Sequence, residues 1–376
     1  MALAGVTRLA LMLALLALTR GQVDPQSPLY GVAYSPFSTT ALLCLEDSEV
    51  IRDLQVVSRL SRRIRLYSVA CSNTRVVLQW CLQNSMSVML GAWITGDNAK
   101  NEEEFVEFSA LVREFGPTGV IESVAVGNEA ISVHGSNLAI VADYLGRTRG
   151  LLRNLPIPMT YVDIPAVWDG SWPSMAAAAA YLVNTNRSIN SSSTRPATRL
   201  LMQAGASPSH HPQQALAALG ASLAGPSVDT GSRHLMQGGL GQVQRPGRLL
   251  TASGPNMAVQ VLLGLVDFIG LNTHPYFDGL PVTCDGLNIT GCYNSTQWAI
   301  GRVAGLTTLL GKPVEITEVG WPTQGEPCCN SAPFGFPASG RLLAVPSLPN
   351  AQTFLTRSTE DFNRAGEPQG QGPGRG

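Results

Sequence analysis

The sequence predicts an α/β fold, a (β/α)8 TIM-type barrel that lacks its eighth strand and carries a long insertion after strand five. Three observations lead there. Short apolar runs alternate with amphipathic stretches through most of the chain, the rhythm of a parallel sheet wound with helices. Runs such as SVMLGAWI and VDFIG are apolar throughout rather than on alternate residues, as in strands covered on both faces. Neither G-x-G-x-x-G nor G-x-x-x-x-G-K-[ST] follows the first run, so an open nucleotide-binding sheet lacks its best signature.

The elements follow in order. Arg8 precedes the apolar run Leu9 to Leu18, and Thr19, Arg20, Gly21 and Gln22 close it. This reads as a signal peptide over residues 1–21, too short to span a bilayer, and it predicts a secreted, extracellular protein with the cell wall as one destination. Residues 28–164 make the first part of the barrel. YGVAYSPF (Tyr30 to Phe37) is strand one, and DSEVIRDLQVVSRL is a helix with Asp47 or Ser48 as cap and Val50, Leu54 and Val57 on one face. RRIRLYSVA (Arg62 to Ala70) is strand two, NTRVVLQWCLQ the second helix and SVMLGAWI (Ser87 to Ile94) strand three. NEEEFVEFSALVREFG is the clearest helix. Asn101 caps it, three glutamates favour the positive end of its dipole, Phe105, Phe108 and Phe115 form the buried stripe, and Gly116 stops it. IESVAVGNEAI (Ile121 to Ile131) is strand four, NLAIVADYLGRTRGLLRNL the fourth helix and PMTYVDI (Pro158 to Ile164) strand five.

From 165 to 264 the period is lost in alanine, serine and Gly/Pro/Gln/Arg-rich text, which reads as a low-complexity insertion, mostly disordered. Within it, PQQALAALGASLAG could supply a fifth barrel helix. Residues 265–366 form the second part. LVDFIGLNTHPYF (Leu265 to Phe277) is strand six, STQWAIGRVAGLTTLLG a helix, PVEITEVGWP (Pro313 to Pro322) strand seven and Pro349 to Gly366 a last helix. Residues 367–376 are a disordered tail.

Composition narrows the function. Charged residues are 14% of the 376 and the net charge is −1, which offers no basic face for nucleic acid and no attraction to anionic membranes. Of seven cysteines, Cys44 with Cys71 and Cys284 with Cys292 make plausible bridges in a secreted chain, Cys81 reads as a small buried hydrophobe, and Cys328 and Cys329 are unassigned. No Cys or His spacing fits zinc, so neither metal nor cofactor is expected. Sequons at Asn186, Asn190, Asn288 and Asn294 predict glycan-bearing surface loops.

Barrel enzymes place their working residues at the C-terminal ends of strands. The polar residues ending these runs are Tyr34, Arg65 and Tyr67, Trp93, Asn128 and Glu129, Asp163, Asn272, His274 and Tyr276, then Glu318 and Trp321. Taken singly, a strand-end glutamate is usually a solvated residue, Tyr67 and Tyr276 fit core aromatics, and His274 before Pro275 fits a loop histidine. Taken jointly, two carboxylates with aromatic and amide neighbours at one mouth are the equipment for glycoside cleavage. One acid protonates the leaving oxygen and one carboxylate attacks the anomeric carbon, about 5–5.5 Å apart in a retaining enzyme. Glu315 competes for the nucleophile role. It lies three residues before Glu318, where strand alternation points it to the other side, and it is farther from the strand's C-terminal end.

RIRLYSVACS, VMLGAWI, SVAVGNEAI, VDFIGLNTHPYFDG and KPVEITEVGWPTQG followed by AVPSLPNAQ together resemble glycoside hydrolase family 17, most closely its fungal-type cell-wall β-1,3-glucanases and glucanosyltransferases. The resemblance covers roughly Tyr30 to Ile164 and Leu265 to Gly366. It implies Glu129 as acid/base and Glu318 as nucleophile, β-1,3-glucan as substrate, Asn128 near the sugar 2-hydroxyl, and Tyr34, Tyr67, Asp163, His274, Tyr276 and Trp321 lining the cleft. A monomer acting on a polysaccharide is expected. The family motif ETGWPS reads EVGWPT here, the insertion is foreign to the family, and the family's eighth strand has no counterpart in the closing text. An unclosed barrel exposes two parallel edges, so a carbohydrate-binding or cell-wall protein that kept the cleft and lost turnover is the alternative reading.

Overall fold

The computed structural model describes residues 29–38, 43–179, 255–276, 280, 282, 294–321, 324 and 347–366. Among them, seven parallel strands form one sheet in chain order: β1 (Val32–Tyr34), β2 (Arg63–Leu66), β3 (Ser87–Ala92), β4 (Ile121–Asn128), β5 (Met159–Asp163), β6 (Ile269–Asn272) and β7 (Val314–Glu318). Helices α1 (Asp47–Val57), α2 (Thr74–Gln83), α3 (Asn98–Phe115), α4 (Leu138–Leu151), α5 (Pro165–Trp168), α6 (Met257–Leu265), α7 (Ser295–Leu310) and α8 (Leu348–Gly366) accompany them. This is the expected (β/α) barrel short of an eighth strand. Its largest core lies between sheet and helices, where Leu66, Leu90, Val124 and Val126 meet Val50, Leu54, Val77, Phe108 and Leu145, all buried.

The run from Leu265 to Phe277 divides differently from expectation. Met257–Leu265 is a helix capped by Asn256, whose side chain accepts from the Val259 amide at 3.0 Å, and the strand begins only at Ile269. A continuous apolar run does not by itself separate buried helix from buried strand. This helix packs on α4, and PQQALAALGASLAG lies outside the described residues. The insertion expected over 165–264 is correspondingly too wide at both ends. Trp168 is fully buried and its Nε1 donates to the Gly270 carbonyl at 3.0 Å, so α5 belongs to the barrel.

Two caps differ from expectation. Helix α1 is capped by Glu46, which forms a capping box with Glu49, and not by Asp47 or Ser48. Helix α3 is capped by Asp97, whose carboxylate accepts from the Ala99 and Lys100 amides at 3.0 and 3.3 Å. Asn101 instead lies buried in the first turn, accepting from Thr95 N and donating to Thr95 O, each at 2.8 Å, which fixes the β3–α3 loop.

Cys44 and Cys71 are bridged as expected, joining the loops that follow β1 and β2, and Cys81 is a buried free thiol. The pair Cys284–Cys292, Cys328, Cys329, the sequons at Asn186, Asn190 and Asn288, the leader 1–21 and the tail 367–376 lie outside the described residues. Asn294 is buried and caps α7 through its carbonyl oxygen, 2.8 Å from the Gln297 amide, so this sequon asparagine is engaged in the fold rather than displayed on a surface loop. No described helix is long and apolar enough to cross a membrane, and no metal-ligating cluster occurs among the described residues.

Candidate active site

Register decides which side chains face the barrel interior, because paired residues of a parallel sheet share a face. Arg65 on β2 pairs with Ala33 on β1 and Met89 on β3, whereas Leu66, buried toward the helices, pairs with Tyr34. The interior therefore receives Arg65, and Tyr34 turns outward. Its hydroxyl donates to Asp53 of α1 at 3.0 Å, so the expected place of Tyr34 in the cleft is corrected: in so short a strand one residue of phase changes the face.

Register slips twice at the sheet's C-terminal edge. On β4, Ala125 pairs with Thr160 but Asn128 pairs with Val162, so β4 spends one extra residue against β5. The extra residue sits at Gly127, whose φ of 88° no side-chain-bearing residue adopts readily. The bulge turns Asn128 inward beside Val162. On β7, Ile316 pairs with Leu271 but Glu318 pairs with Asn272, and Glu318 is turned inward in the same way.

These slips assemble a polar cluster. One Arg65 Nη donates to Asn128 Oδ1 at 2.6 Å, and the other reaches Thr317 O at 3.0 Å, Asn272 Oδ1 at 3.3 Å and Glu318 Oε2 at 3.4 Å. The Asn272 amide donates to Asn128 Oδ1 at 3.0 Å and to Glu129 Oε1 at 2.9 Å, and Thr317 Oγ1 donates to Asn272 Oδ1 at 3.1 Å. His274 Nε2 stands 3.9 Å from a Glu129 oxygen and 3.6 Å from a Glu318 oxygen. Tyr67 lies under the Arg65 guanidinium, 4.6 Å from its carbon, with its hydroxyl facing Glu318. Glu129, Glu318, Asn128, Tyr67 and His274, drawn from four strand ends, thus come together in one cluster.

Burial shapes the charges. It pulls the Arg65 guanidinium below its ordinary value, the charges of Glu318 and Glu129 oppose this, and a guanidinium remains protonated throughout. Burial, then the Glu318 charge, pushes the Tyr67 hydroxyl well above its ordinary value, so it keeps its proton and can donate it to that carboxylate. Glu318 therefore sits between a cation and a hydroxyl donor, while Glu129 is held by the neutral amide of Asn272.

The remaining expected cleft residues take other places. Tyr276 and Trp321 meet edge to face at 5.4 Å, Trp321 packs on Phe354 of α8 at 5.7 Å, and both are buried, so they form a packed wall rather than an open platform. Asp163 is fully buried and accepts from Ser132, Tyr161 and the Ile164 amide, contacts that lie behind Glu129 and not in the cleft. Sequence reasoning placed Arg65 and Asn272 at strand ends without giving either a role. The signal for Arg65 was RRIRL, where Arg63 and Arg65 alternate with buried Ile64 and Leu66. Glu315 was expected to face away, yet it faces Tyr30, Arg63 and Glu122 inside the same barrel at its N-terminal end, because the bulge removes the alternation between Glu315 and Glu318.

Residues 31–185 match the BtgE/BtgC glycoside hydrolase domain. A putative glucan endo-1,3-beta-glucosidase btgC of Aspergillus niger is 28% identical over 159 residues, covering 39% of this chain and 23% of that protein. A glucan endo-1,3-beta-glucosidase btgC of Emericella nidulans is 26% identical over 152 residues, covering 37% of this chain and 23% of that protein. The matched region is thus under a quarter of each relative's own length. Among solved structures, the glycoside hydrolase family 17 β-1,3-glucanosyltransferase of Rhizomucor miehei shares the fold, with TM-score 0.52, 14% identity and coverage of 89% of this chain and 84% of that chain. An active-site mutant of the Rhizomucor miehei enzyme in complex with laminaritriose superposes equally well.

Proposed function

We propose that this chain, a glycoside hydrolase of the family 17 type, is a secreted retaining enzyme that cleaves β-1,3-glucan internally and can pass the cleaved chain to a second sugar. Glu318 is the nucleophile and Glu129 the acid/base. The observation that carries this reading is a single imidazole nitrogen, that of His274, 3.6 Å from Glu318 and 3.9 Å from Glu129. Two carboxylates sharing one neighbour at such distances face the same small volume, as the two acids of a retaining pair must.

The chemistry divides by environment. Glu318, beside Arg65 and the Tyr67 hydroxyl, attacks the anomeric carbon, forming a glycosyl ester. Glu129 gives its proton to the departing glycosidic oxygen. It then takes a proton from water, for hydrolysis, or from a sugar hydroxyl, for transfer, as that oxygen attacks the ester and Glu318 leaves. Asn128 and Asn272, locked to each other and to Arg65, present fixed polar groups to the sugar beside the reacting carbon. Substrate and secretion are supported by the btgC relatives and by the leader-like first 21 residues.

The test is kinetic. Full-length protein should release new reducing ends or longer oligomers from laminarin, with the β-anomer formed first by NMR. Glu318→Gln should abolish the glycosyl-enzyme on every substrate. Glu129→Gln should lose turnover on laminarin far more than on an aryl glucoside whose leaving group needs no proton. Equal losses on both substrates would remove Glu129 from the acid role, and laminarin binding with neither product would favour a protein that binds without turnover.

A further inference from the structure

We propose that Tyr161, Asp163 and Ser132 form a clamp that holds Glu129 in its left-handed backbone conformation, which makes Asp163 a positioning residue rather than a sugar contact. The inference rests on the reading of Glu129 as the proton-transferring group. Glu129 has φ 50°, where side-chain-bearing residues are rarely found, and it directly follows the bulge at Gly127. Something must hold the chain there.

Consecutive residues of β5 do so. The Glu129 amide donates to the Val162 carbonyl at 2.8 Å. Two residues on, the Ile131 amide donates to the Tyr161 hydroxyl at 3.0 Å. That hydroxyl has one proton, and it goes to Asp163 Oδ2. Three residues after Glu129, the Ser132 hydroxyl donates to Asp163 Oδ1, which also accepts from the Ile164 amide at 2.8 Å. The loop leaving β4 is therefore tied at 129, 131 and 132 to residues 161–163. The Tyr161 ring also lies against Gly127, where an added Cβ would come within 3.0 Å of it, so the same side chain supports both the bulge and the loop. The Ser132 and Tyr161 hydroxyls and the Ile164 amide all donate to Asp163, and only a carboxylate accepts all three. An amide in its place turns an N–H toward one of them. The charged group facing Asp163 is Glu129 itself. Tyr161 and Asp163 are fully buried, so neither is available to a polysaccharide.

Full-length Asp163→Asn and Tyr161→Phe separate this role from general support, the second variant keeping the ring that packs on Gly127 and Trp168. Hydrogen exchange over residues 129–134 should quicken by about ten- to a hundredfold in both, the loss expected for a hydrogen bond to a charged acceptor, while circular dichroism stays that of the wild type. On laminarin, kcat should fall with KM unchanged, and an aryl glucoside with a good leaving group should lose much less. Unchanged exchange over 129–134 in both variants overturns the clamp whatever the enzyme does. A raised KM with kcat retained in Asp163→Asn overturns it too, by making Asp163 a sugar contact. If the wild type itself fails to turn over laminarin, the enzymatic reading falls separately and the exchange measurement still decides the clamp.

Discussion

The titration of Asp163 should be legible in the stability of the whole barrel. Burial lifts this carboxyl from 3.8 to about 6, outweighing the donors from Ser132, Tyr161 and the Ile164 amide. A carboxyl raised on folding binds its proton more tightly in the folded state than in the unfolded chain. Its contribution is therefore complete below 3.8 and is lost as the pH climbs to about 6. A shift of that size amounts to on the order of 3 kcal/mol. The sign is opposite to that of a salt-bridged carboxylate, because desolvation dominates here. Asp163→Asn has nothing to titrate in this window, so subtracting its stability isolates the effect from every other acid. In urea unfolding followed by circular dichroism between about pH 4 and about pH 7, the wild-type-minus-variant difference should fall by about 2 kcal/mol and then level off. A difference that stays constant across the window, or that rises with pH, refutes the reasoning.

Other perturbations follow from the same geometry. Arg65→Met removes the cation beside Glu318 and the donor that locks Asn128 and Asn272, and it should cost about 3 kcal/mol in a melt and about a hundredfold or more in kcat. Arg65→Lys should recover little, since one ammonium cannot replace the fork, and full recovery would show that charge alone matters. Tyr34→Phe should cost about 1 kcal/mol through the lost bond to Asp53 and leave KM for laminarin unchanged, whereas a raised KM would return Tyr34 to the cleft. Gly91→Ala would set a Cβ 2.3 Å from the Leu66 carbonyl oxygen and 2.6 Å from the Tyr67 carbonyl, so it should destabilise by more than about 3 kcal/mol or fail to yield soluble protein.

Strand order and the position of Glu129 and Glu318 at strand ends were readable because each rests on a strong local signal. An apolar run covered on both faces must be interior, and a polar residue at its C-terminal end must lie at the mouth. What escaped sequence reading depends on partners. Asp97 and Asn101 are both plausible caps by composition, and only the backbone around Thr95 decides between them. Tyr34 is aromatic and ends its strand, yet its face is fixed by the pairing of Ala33 with Arg65. Asp163 ends β5 as a working residue would, but Ser132 and Tyr161 claim both its oxygens. The bulges at Gly127 and near Thr317 leave no periodic trace, since one added residue in an apolar or Thr-containing run looks like any other. Tyr276 and Trp321 showed their burial only once Phe354 of α8 was seen packed over Trp321.

In the proposed mechanism, the choice of Glu318 over Glu315 as nucleophile turns on depth rather than facing. Strand β2 sends Arg63 and Arg65, two residues apart, into the same interior, one layer above the other. The lower layer joins Arg63 to Glu122 at 3.2 Å, with Glu315 and Tyr30 beside them, and the Ser87 hydroxyl donates to the same Glu122 carboxylate at 2.5 Å. The upper layer joins Arg65 to Glu318, Asn128 and Asn272. Each layer sets one arginine against its acids, but the acids differ in surroundings. Burial and the neighbouring Glu122 charge push the Glu315 carboxyl upward against the pull of Arg63, which works against its ionised form. It also lies at the N-terminal end of the strands, where barrel side chains serve stability, while Glu318 lies at the end where loops admit a substrate. With the bulge on β7 turning both acids inward, alternation cannot separate them. The height of Glu318 in the barrel, its hydroxyl donor from Tyr67 and the His274 imidazole shared with Glu129 do.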